Sequence, residues 1–341
     1  MSSTPRMRAG HFIPLATLLY LLVFLVALNT GPVPIDSWSL LLMSMRGEAL
    51  DVAAQLDWHI LRDIRLPRVL LASLVGAALA MAGAAMQALL RNPLAEPGIV
   101  GVSSGAALAA VLVLYFGLVS WHSALLPLSA VLGSCIALLL VLSLAGRSPA
   151  VTTLILAGVA VSAMLGGGIA LALNFAPNPF ALQEISFWLM GSVAHRDLAQ
   201  VGMVLPFMLT GALLLVFSGR FLRALTLGET TAASMGYHLT GQRALVLLGV
   251  ALLTGAAVAV AGVVGFVGLM VPHMVRFIGG EDPRRVLWWS AWLGAAMLLL
   301  VDILVQVVSP ATELKLGVLM SLIGGPFFLL LLTTQRRWRS L

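Results

Sequence analysis

The sequence has little charge. Only 9% of its 341 residues are Asp, Glu, Lys or Arg, 60% are hydrophobic, and the mean hydropathy is +1.06. A soluble domain has about a quarter of its residues charged. This shortage excludes an ordinary soluble protein and leaves no room for a separate soluble domain. The composition predicts an all-α polytopic membrane protein in which residues 1–341 form one transmembrane domain.

Cysteine and lysine are nearly absent. The single cysteine, Cys135, lies in an apolar run, so we expect no intrachain disulfide and an inert buried thiol. The single lysine, Lys315, stands between Leu314 and Leu316, so the GxxxxGK[ST] phosphate-binding pattern is missing. The chain therefore cannot bind ATP in the manner of a P-loop, and any ATP hydrolysis would need a separate subunit.

Catalytic and metal-binding patterns are also missing. The sequence has no HExxH, no GxSxG and no pair of intramembrane carboxylates. Of the function classes considered for this chain, an intramembrane enzyme is therefore the one with the least support. His273 has no companions at ligand spacing, so we interpret it as a helix-packing residue. The sequence therefore predicts neither an enzyme nor a metal site.

Long charge-free runs are what the sequence does have. About ten spans of about 20 residues would take up about 200 residues and leave only short loops. The region 244–275 is free of charge between Arg243 and Arg276, and it must cross an even number of times if both arginines are cytoplasmic. We therefore place two short passes there, broken around 262–265. The other predicted spans are 12–28, 69–90, 99–118, 125–144, 151–173, 201–217, 287–307 and 316–332.

Small residues mark two of these spans. Ala72, Gly76, Ala80 and Ala84 recur every fourth position, which predicts close approach of another helix. The run at 166–168 is three glycines in the middle of a span, and it predicts either a bend or close packing.

Basic residues are distributed unequally between the loops. With both termini cytoplasmic, the inner side holds thirteen of the 19 basic residues, as the positive-inside rule requires. The net charge of +6 thus needs no nucleic acid to explain it. Residues 29–68 and 174–200 become periplasmic segments. The inner basic residues are Arg6, Arg8, Arg91, Arg147, Arg220, Arg223, Arg243, Arg276, Arg284, Arg285, Arg336, Arg337 and Arg339.

Asp302 is the one acid inside a predicted span. An intramembrane carboxylate suggests a proton or sodium site, so an ion-coupled secondary transporter is the alternative from another class. Because no second intramembrane carboxylate accompanies it, we favour a helix-packing or capping role.

Two motifs carry a family resemblance. The stretch 82–108, AGAAMQALLRNPLAEPGIVGVSSGAAL, follows RLPR at 65–68 and resembles the signature of the permeases for vitamin B12, ferric siderophores and haem in type II ABC importers. The resemblance extends over 38–332. It implies a homodimer of ten-helix subunits in the bacterial inner membrane, two cytoplasmic ATPases that carry ATP and magnesium, and a periplasmic binding protein. It implies no cofactor on this chain.

The resemblance also assigns site residues. A basic outer collar of Arg65 and Arg68 would dock the binding protein with Lys315, where the family more often has arginine. The cytoplasmic coupling loop is 219–243, and the inner gate lies near Ala150, Val151 and Thr152, with spans five and ten lining the pathway. The residues that would contact the ATPase are Gly228, Glu229, Ala232, Ala233 and Gly236.

The outer segment 176–192 favours one ligand. Its pattern APNPFA..EI.FWLMGS is more similar to haem permeases than to siderophore permeases. The predicted cargo is haem or another iron chelate, with a ferric siderophore or vitamin B12 as the alternative within the family.

Overall fold

A computed structural model describes residues 9–47, 51–146, 150–309 and 314–339. The predicted inner residues Arg6, Arg8 and Arg147 lie outside the described residues, as does 310–313 of the turn before the last helix. The side chains of Arg336, Arg337 and Arg339 are also outside the description. The contribution of these residues to the inner positive charge stays a prediction.

The described residues are helical with short connections. The helices are α1 (Ala9–Asn29), α2 (Ser37–Arg46), α3 (Val52–His59), α4 (Leu66–Leu89), α5 (Val102–Tyr115), α6 (Leu125–Ala145), α7 (Val151–Asn174), α8 (Pro179–Leu189), α9 (Leu198–Leu225), α10 (Glu229–Ser234), α11 (Leu239–Ala261), α12 (Val267–Gly279), α13 (Pro283–Val308) and α14 (Leu316–Arg339).

Hydropathy separates the membrane helices from the rest. Six helices are long and apolar enough to cross a bilayer, and four shorter apolar segments lie in α1, α5, α12 and α14. Together they coincide with the ten predicted spans. The all-α polytopic fold is confirmed, whereas the number of crossings and the side of each terminus stay predictions.

Helix α4 lies at the centre of the packing. A Cβ atom added at Gly76 would stand 2.2 Å from the carbonyl oxygen of Gly294 on α13, and one at Gly83 would stand 2.0 Å from that of Gly268 on α12. Ala80 contacts Gly294 from the same stripe. The predicted close approach along α4 is therefore confirmed, and it holds α12 and α13 at backbone distance.

The break between α11 and α12 is also confirmed. The chain leaves α11 at Gly262 and enters α12 after Phe266, and both residues have a positive φ, of 67° and 66°. The last carbonyls of α11 are not left unpaired: Ser192 N–H donates to Ala261 O at 2.8 Å, and Arg196 Nε donates to Val260 O at 2.8 Å. The outer segment after α8 thus caps the end of α11.

The predicted loop boundaries need correction in two places. Helix α9 continues to Leu225, so the coupling connection is 226–238 rather than 219–243. Arg220 and Arg223 do not end the helix, because arginine is a good helix former and its long side chain reaches the headgroups. The helix that contains the second predicted span begins before residue 69, since α3 continues through a π-helical turn, Ile60–Arg65, into α4.

Two of the three glycines of α7 do not pack closely against the described part of this chain, so the close-packing prediction holds only at Gly168. Helix α7 is continuous, and a Cβ atom at Gly166 or Gly167 would have nothing within 4 Å among the described residues. Only Gly168 meets a neighbour, the side chain of Leu108. This face of α7 is open.

Candidate transport and coupling sites

A buried ion pair joins the start of α4 to the end of α13, which the predicted topology places on the outer side. Arg68 donates from Nε to both carboxylate oxygens of Asp302, at 3.1 and 2.9 Å, and from Nη2 to Oδ1 at 2.9 Å. The Asp302 side chain is 1% exposed and that of Arg68 17%. Gln306, one turn further along α13, donates to Asp302 Oδ2 at 2.9 Å. The carboxylate is therefore saturated with donors and fixes the register of the two helices.

Arg65 is also buried, and its guanidinium group forms hydrogen bonds close to the ion pair, at the start of α4. Its Nη1 donates to Leu28 O at 2.8 Å, and its Nη2 donates to Val33 O. The guanidinium packs against Gly31, whose added Cβ atom would lie 3.1 Å from Nη2. Arg65 thus ties the connection after α1 to the start of α4.

These contacts correct the expected outer collar. Neither Arg65 nor Arg68 stands free on the surface, because backbone carbonyls and Asp302 already occupy their guanidinium groups. Both line an outer cavity of about 490 Å³, together with His195 and Gln306. A docking role for the two arginines stays a prediction.

Lys315 lies at the start of the last helix. Its Nζ stands 5.5 Å from the ring centroid of Phe187 on α8, a cation–π arrangement. The residue thus packs against the outer segment 174–200. Its predicted contact with a binding protein stays a prediction.

The coupling residues are grouped on one short helix. Helix α10 follows Gly228, which has a φ of 107°, and ends before Gly236, which has a φ of 88°. Ala232 is fully buried against the neighbouring helices, whereas Ala233 faces solvent. The two glycines permit sharp turns that an ordinary side chain would resist.

Two large apolar side chains flank α10 on the exposed side. Leu227 is 65% exposed and Met235 58%. They stand beside a basic groove of about 340 Å³ lined by Arg220, Arg223, Ala224, Leu227, Met235, Tyr237 and Arg284. Both lie outside the predicted membrane spans, so lipid tails are not expected to cover them.

Glu229 anchors α10 to the membrane domain. Its Oε1 lies 2.7 Å from Arg243 Nη2 on α11 and 4.0 Å from Arg91 Nη2, in the turn after α4. The carboxylate therefore connects the coupling helix with the two neighbouring elements. A movement of α10 would pull on both.

A second polar network lies on the same side. Gln87 Nε2 donates to Gly268 O at 3.1 Å, and Arg276 Nη2 donates to Gln87 Oε1. Both residues line a cavity of about 360 Å³ that also includes Arg91 and Glu281. The network links the end of α4 with the first turn of α12 through Gly268 and with its last turn through Arg276.

The predicted inner gate lies at the start of α7. Ala150 has an extended backbone and precedes the first helical residue, Val151, while Thr152 is exposed. These residues follow the undescribed segment 147–149. Their gating role stays a prediction.

His273 and Asp302 have structural partners. The ring of His273 on α12 meets that of Phe327 on α14 edge-on, at 6.2 Å between centroids, which matches the predicted packing role. Within the described residues, no group of three or more His, Cys, Asp or Glu is placed to hold a metal ion.

The pairing of Arg68 with Asp302 is the feature that the sequence did not reveal. The two residues are separated by 234 positions, and the sequence analysis interpreted them separately, Arg68 as a docking residue and Asp302 as a lone intramembrane acid. The sequence did contain one signal for the pair, because the predicted spans place both residues at a similar depth in the membrane. Arg68 opens the second span, and Asp302 lies near the outer end of the ninth.

Comparison with known proteins now decides the family. The model of the FecCD transport family matches residues 18–334. The chain belongs to the FecCD transport family. The resemblance predicted from RLPR and the turn at 91–98 is thereby confirmed.

Relatives in this family have different cargoes. The chain is 37% identical over 337 residues to the hemin transport system permease protein HmuU of Yersinia pestis, covering 97% of this chain and 99% of that protein. It is also 37% identical over 337 residues to the vitamin B12 import system permease protein BtuC of Serratia proteamaculans, covering 98% and 96%. Overall identity therefore does not separate haem from vitamin B12.

A solved structure has the same fold. It is described as an inward-facing conformation of a metal-chelate type ABC transporter, and it superposes with a TM-score of 0.84 at 29% identity over 96% of this chain and all of that one. The chain is accordingly a multi-pass membrane permease of the ABC importer type.

Proposed function

We propose that this chain is the permease subunit of an ATP-driven importer that moves haem or another iron chelate from the periplasm to the cytoplasm across the bacterial inner membrane. The observation that carries the proposal is the coupling helix. Helix α10 presents Leu227 and Met235 beside it to solvent, while Glu229 connects it to α11 and to the turn after α4.

The proposed partners are argued from two features of this chain, the missing phosphate-binding motif and the exposed surfaces at α10 and α7. A cytoplasmic ATPase bound at α10 would supply ATP hydrolysis with its own ATP and magnesium, since the sequence has no phosphate-binding lysine motif. Two such subunits would serve a homodimer of the permease, and a periplasmic binding protein would deliver cargo near the outer cavity. The open face of α7 supports a second copy or a transport pathway at that helix.

Haem is the cargo we favour. The outer segment 176–192 resembles that of haem permeases, and the similarity to the hemin permease extends over 97% of the chain. The equal identity to a vitamin B12 permease keeps that cargo as the alternative.

Growth tests the cargo. A strain lacking this permease and complemented with the wild-type chain is grown on haemin as the sole iron source, on ferric siderophores, and under dependence on vitamin B12. We expect loss of growth on haemin alone in the uncomplemented strain. Normal growth on haemin with failure on another ligand would mean that the other ligand is the cargo. The proposal that the chain is an importer permease would still hold.

A variant pair tests the coupling site. Glu229→Lys places a third positive charge beside Arg243 and Arg91, so we expect α10 to leave its position and ATP-dependent uptake to fall at least about tenfold. Ser143→Lys, an exposed residue on α6 outside every predicted site, is the matched control and should transport normally. Wild-type uptake by the Glu229 variant would contradict the proposal that α10 is part of the ATPase interface.

Asp302 does not favour the ion-coupled alternative. Its carboxylate already accepts hydrogen bonds from Arg68 and Gln306, which suits a fixed helix contact better than a site that binds and releases a cation.

A further inference from the structure

A basic and aromatic cleft lies at the ends of α9 and α13 nearest the coupling helix. It encloses about 540 Å³ and is lined by Arg223, Asp282, Arg284, Arg285, Trp288, Trp289 and Trp292. Arg223 and Arg284 also line the groove beside α10, so the cleft adjoins the predicted coupling site. Its three tryptophans and Arg285 have no role in the function proposed above.

Its depth matches the boundary of a bilayer. Helix α13 begins at Pro283, and Trp292 follows nine residues later, about 13 Å along the helix axis. The ring of Trp292 meets that of Tyr20 on α1 edge-on, at 5.7 Å between centroids. In the predicted topology the arginines would lie at the level of lipid headgroups, and the tryptophans would lead toward the hydrocarbon.

The charge of the cleft is uncompensated. Within the part of the chain that the structure describes, Arg223, Arg284 and Arg285 form no ion pair and no side-chain hydrogen bond. The one acid, Asp282, accepts a hydrogen bond from the backbone N–H of Arg284 at 3.1 Å and so caps α13. Three guanidinium groups face one carboxylate that already has a partner.

The aromatic wall is partly rigid and partly open. Trp289 is 2% exposed and packs so closely on α12 that a Cβ atom at Gly279 would lie 1.7 Å from its ring. Trp288 is 53% exposed beside it. A fixed indole and an accessible one, next to guanidinium groups, suit a ligand with a phosphate and an apolar body.

We propose that this cleft binds the headgroup of an anionic phospholipid from the cytoplasmic leaflet. The guanidinium groups of Arg223, Arg284 and Arg285 hold the phosphodiester, and the tryptophans contact the glycerol and the start of the acyl chains. The proposal depends on the predicted topology and not on the cargo.

General inner positive charge does not explain this cleft. Arg220 stands one turn before Arg223 on the same helix, is exposed, and does not line the cleft. It supplies a matched control for charge on the same side of the protein.

The experiment measures lipid bound to the purified full-length permease. Delipidated protein in detergent is titrated with phosphatidylglycerol, phosphatidylcholine or inorganic phosphate, and bound lipid is counted by native mass spectrometry. We expect tight binding of phosphatidylglycerol alone. The double variant Arg284→Gln, Arg285→Gln should bind it about thirtyfold more weakly, whereas Arg220→Gln should stay within about threefold of wild type.

Other outcomes would overturn the proposal. They are undiminished phosphatidylglycerol binding in the double variant, equal loss in Arg220→Gln, equal binding of phosphatidylcholine, or displacement of the lipid by inorganic phosphate at the same concentration. If the double variant does not fold, Arg223→Gln replaces it, with an expected loss of about fivefold and the same control. Displacement of the lipid by the bound ATPase would show that the cleft is a protein contact instead.

Discussion

Helices α4 and α7 have the same length and similar composition, but they are used in opposite ways. Each has 24 residues, is strongly apolar and contains glycine. In the most apolar 18-residue stretch of the continuous helix Val52–Leu89, which contains α4, 83% of the residues are buried. In the corresponding stretch of α7, 17% are buried. Apolar content and glycine thus identify a membrane helix but do not show what it packs against.

The difference lies in what each glycine faces. On α4, Gly76 and Gly83 meet backbone carbonyls of α13 and α12, and Arg68 adds a buried ion pair at the outer end. On α7, Gly166 and Gly167 face open space. Because lipid removes the hydrophobic drive between helices, backbone contact and polar pairs determine which helices stay together.

Helix α7 contacts the turn after α4 as well as α5 and α6. A Cβ atom at Gly158 would lie 2.2 Å from Ile99 O, and Ser162 Oγ donates to Gly98 O at 3.0 Å. The turn that carries the family signature therefore connects the most buried span to the most exposed one. A movement of this turn would be passed to α7.

The largest effect is expected when the buried glycine contact is filled. Gly83→Val would force α4 away from α12, because its Cβ atom alone would lie 2.0 Å from Gly268 O. We expect the free energy of unfolding to fall by more than about 4 kcal/mol, with little folded protein recovered. Gly167→Val on α7 is the matched control and should change the unfolding free energy by less than about 1 kcal/mol in detergent titration. Equal effects would remove the distinction between the two helices.

Breaking the ion pair should be the next largest effect. Asp302→Asn leaves the Arg68 guanidinium buried without its counter-charge, which typically costs about 3 to 5 kcal/mol. Replacing both residues, Arg68→Met with Asp302→Leu, should recover most of that loss. A double-mutant cycle in detergent unfolding measures the coupling. Additive losses would mean that the pair does not lock α4 to α13.

The open face of α7 should affect transport rather than stability. Gly167→Trp places a large ring where this chain has no neighbour, so we expect the unfolding free energy to change by less than about 1 kcal/mol. Uptake should fall at least about tenfold, because the face is proposed to meet a second copy or the pathway. Leu213→Trp, on an exposed apolar position of α9, is the control. Normal uptake by the Gly167 variant would indicate that the open face of α7 contacts lipid, and not a second copy or the transport pathway.

Local rules predicted the spans well. The charge-free runs, the even number of passes between Arg243 and Arg276, and the break at 262–265 follow from hydropathy and parity, and the helices α11 and α12 confirm that break. The stripe from Ala72 to Ala84 was readable because its period is that of a helix face.

Contacts between distant residues could not be read in the same way. The resemblance predicted Arg65 in a basic outer collar, and nothing local shows that it donates to Leu28 O. The open glycines of α7 look like the closed ones of α4 in sequence. Each role depends on the partner, which only the assembled helices supply.

The smallest effect concerns a carboxyl group in the turn between these helices. Burial raises the pKa of Glu96 above its ordinary value of 4.5, and the group lies before the 3₁₀ turn Pro97–Val100 that contacts α7. Because the folded protein favours the protonated form, ionisation of Glu96 destabilises it. Stability due to this group is complete below the ordinary pKa and is lost as pH rises through the raised one.

Glu96→Gln should therefore remove part of the pH dependence of unfolding. We expect the variant to melt at a slightly higher temperature than wild type at pH 8 and at the same temperature near pH 4, in a series of detergent melts between these values. Glu184→Gln on the exposed face of α8 is the control and should follow wild type. A lower melting temperature for the Glu96 variant at pH 8 would show that the ionised carboxylate has a partner that stabilises the turn. In that case the link from α4 to α7 would depend on that charge and not on the backbone contacts at Gly98 and Ile99.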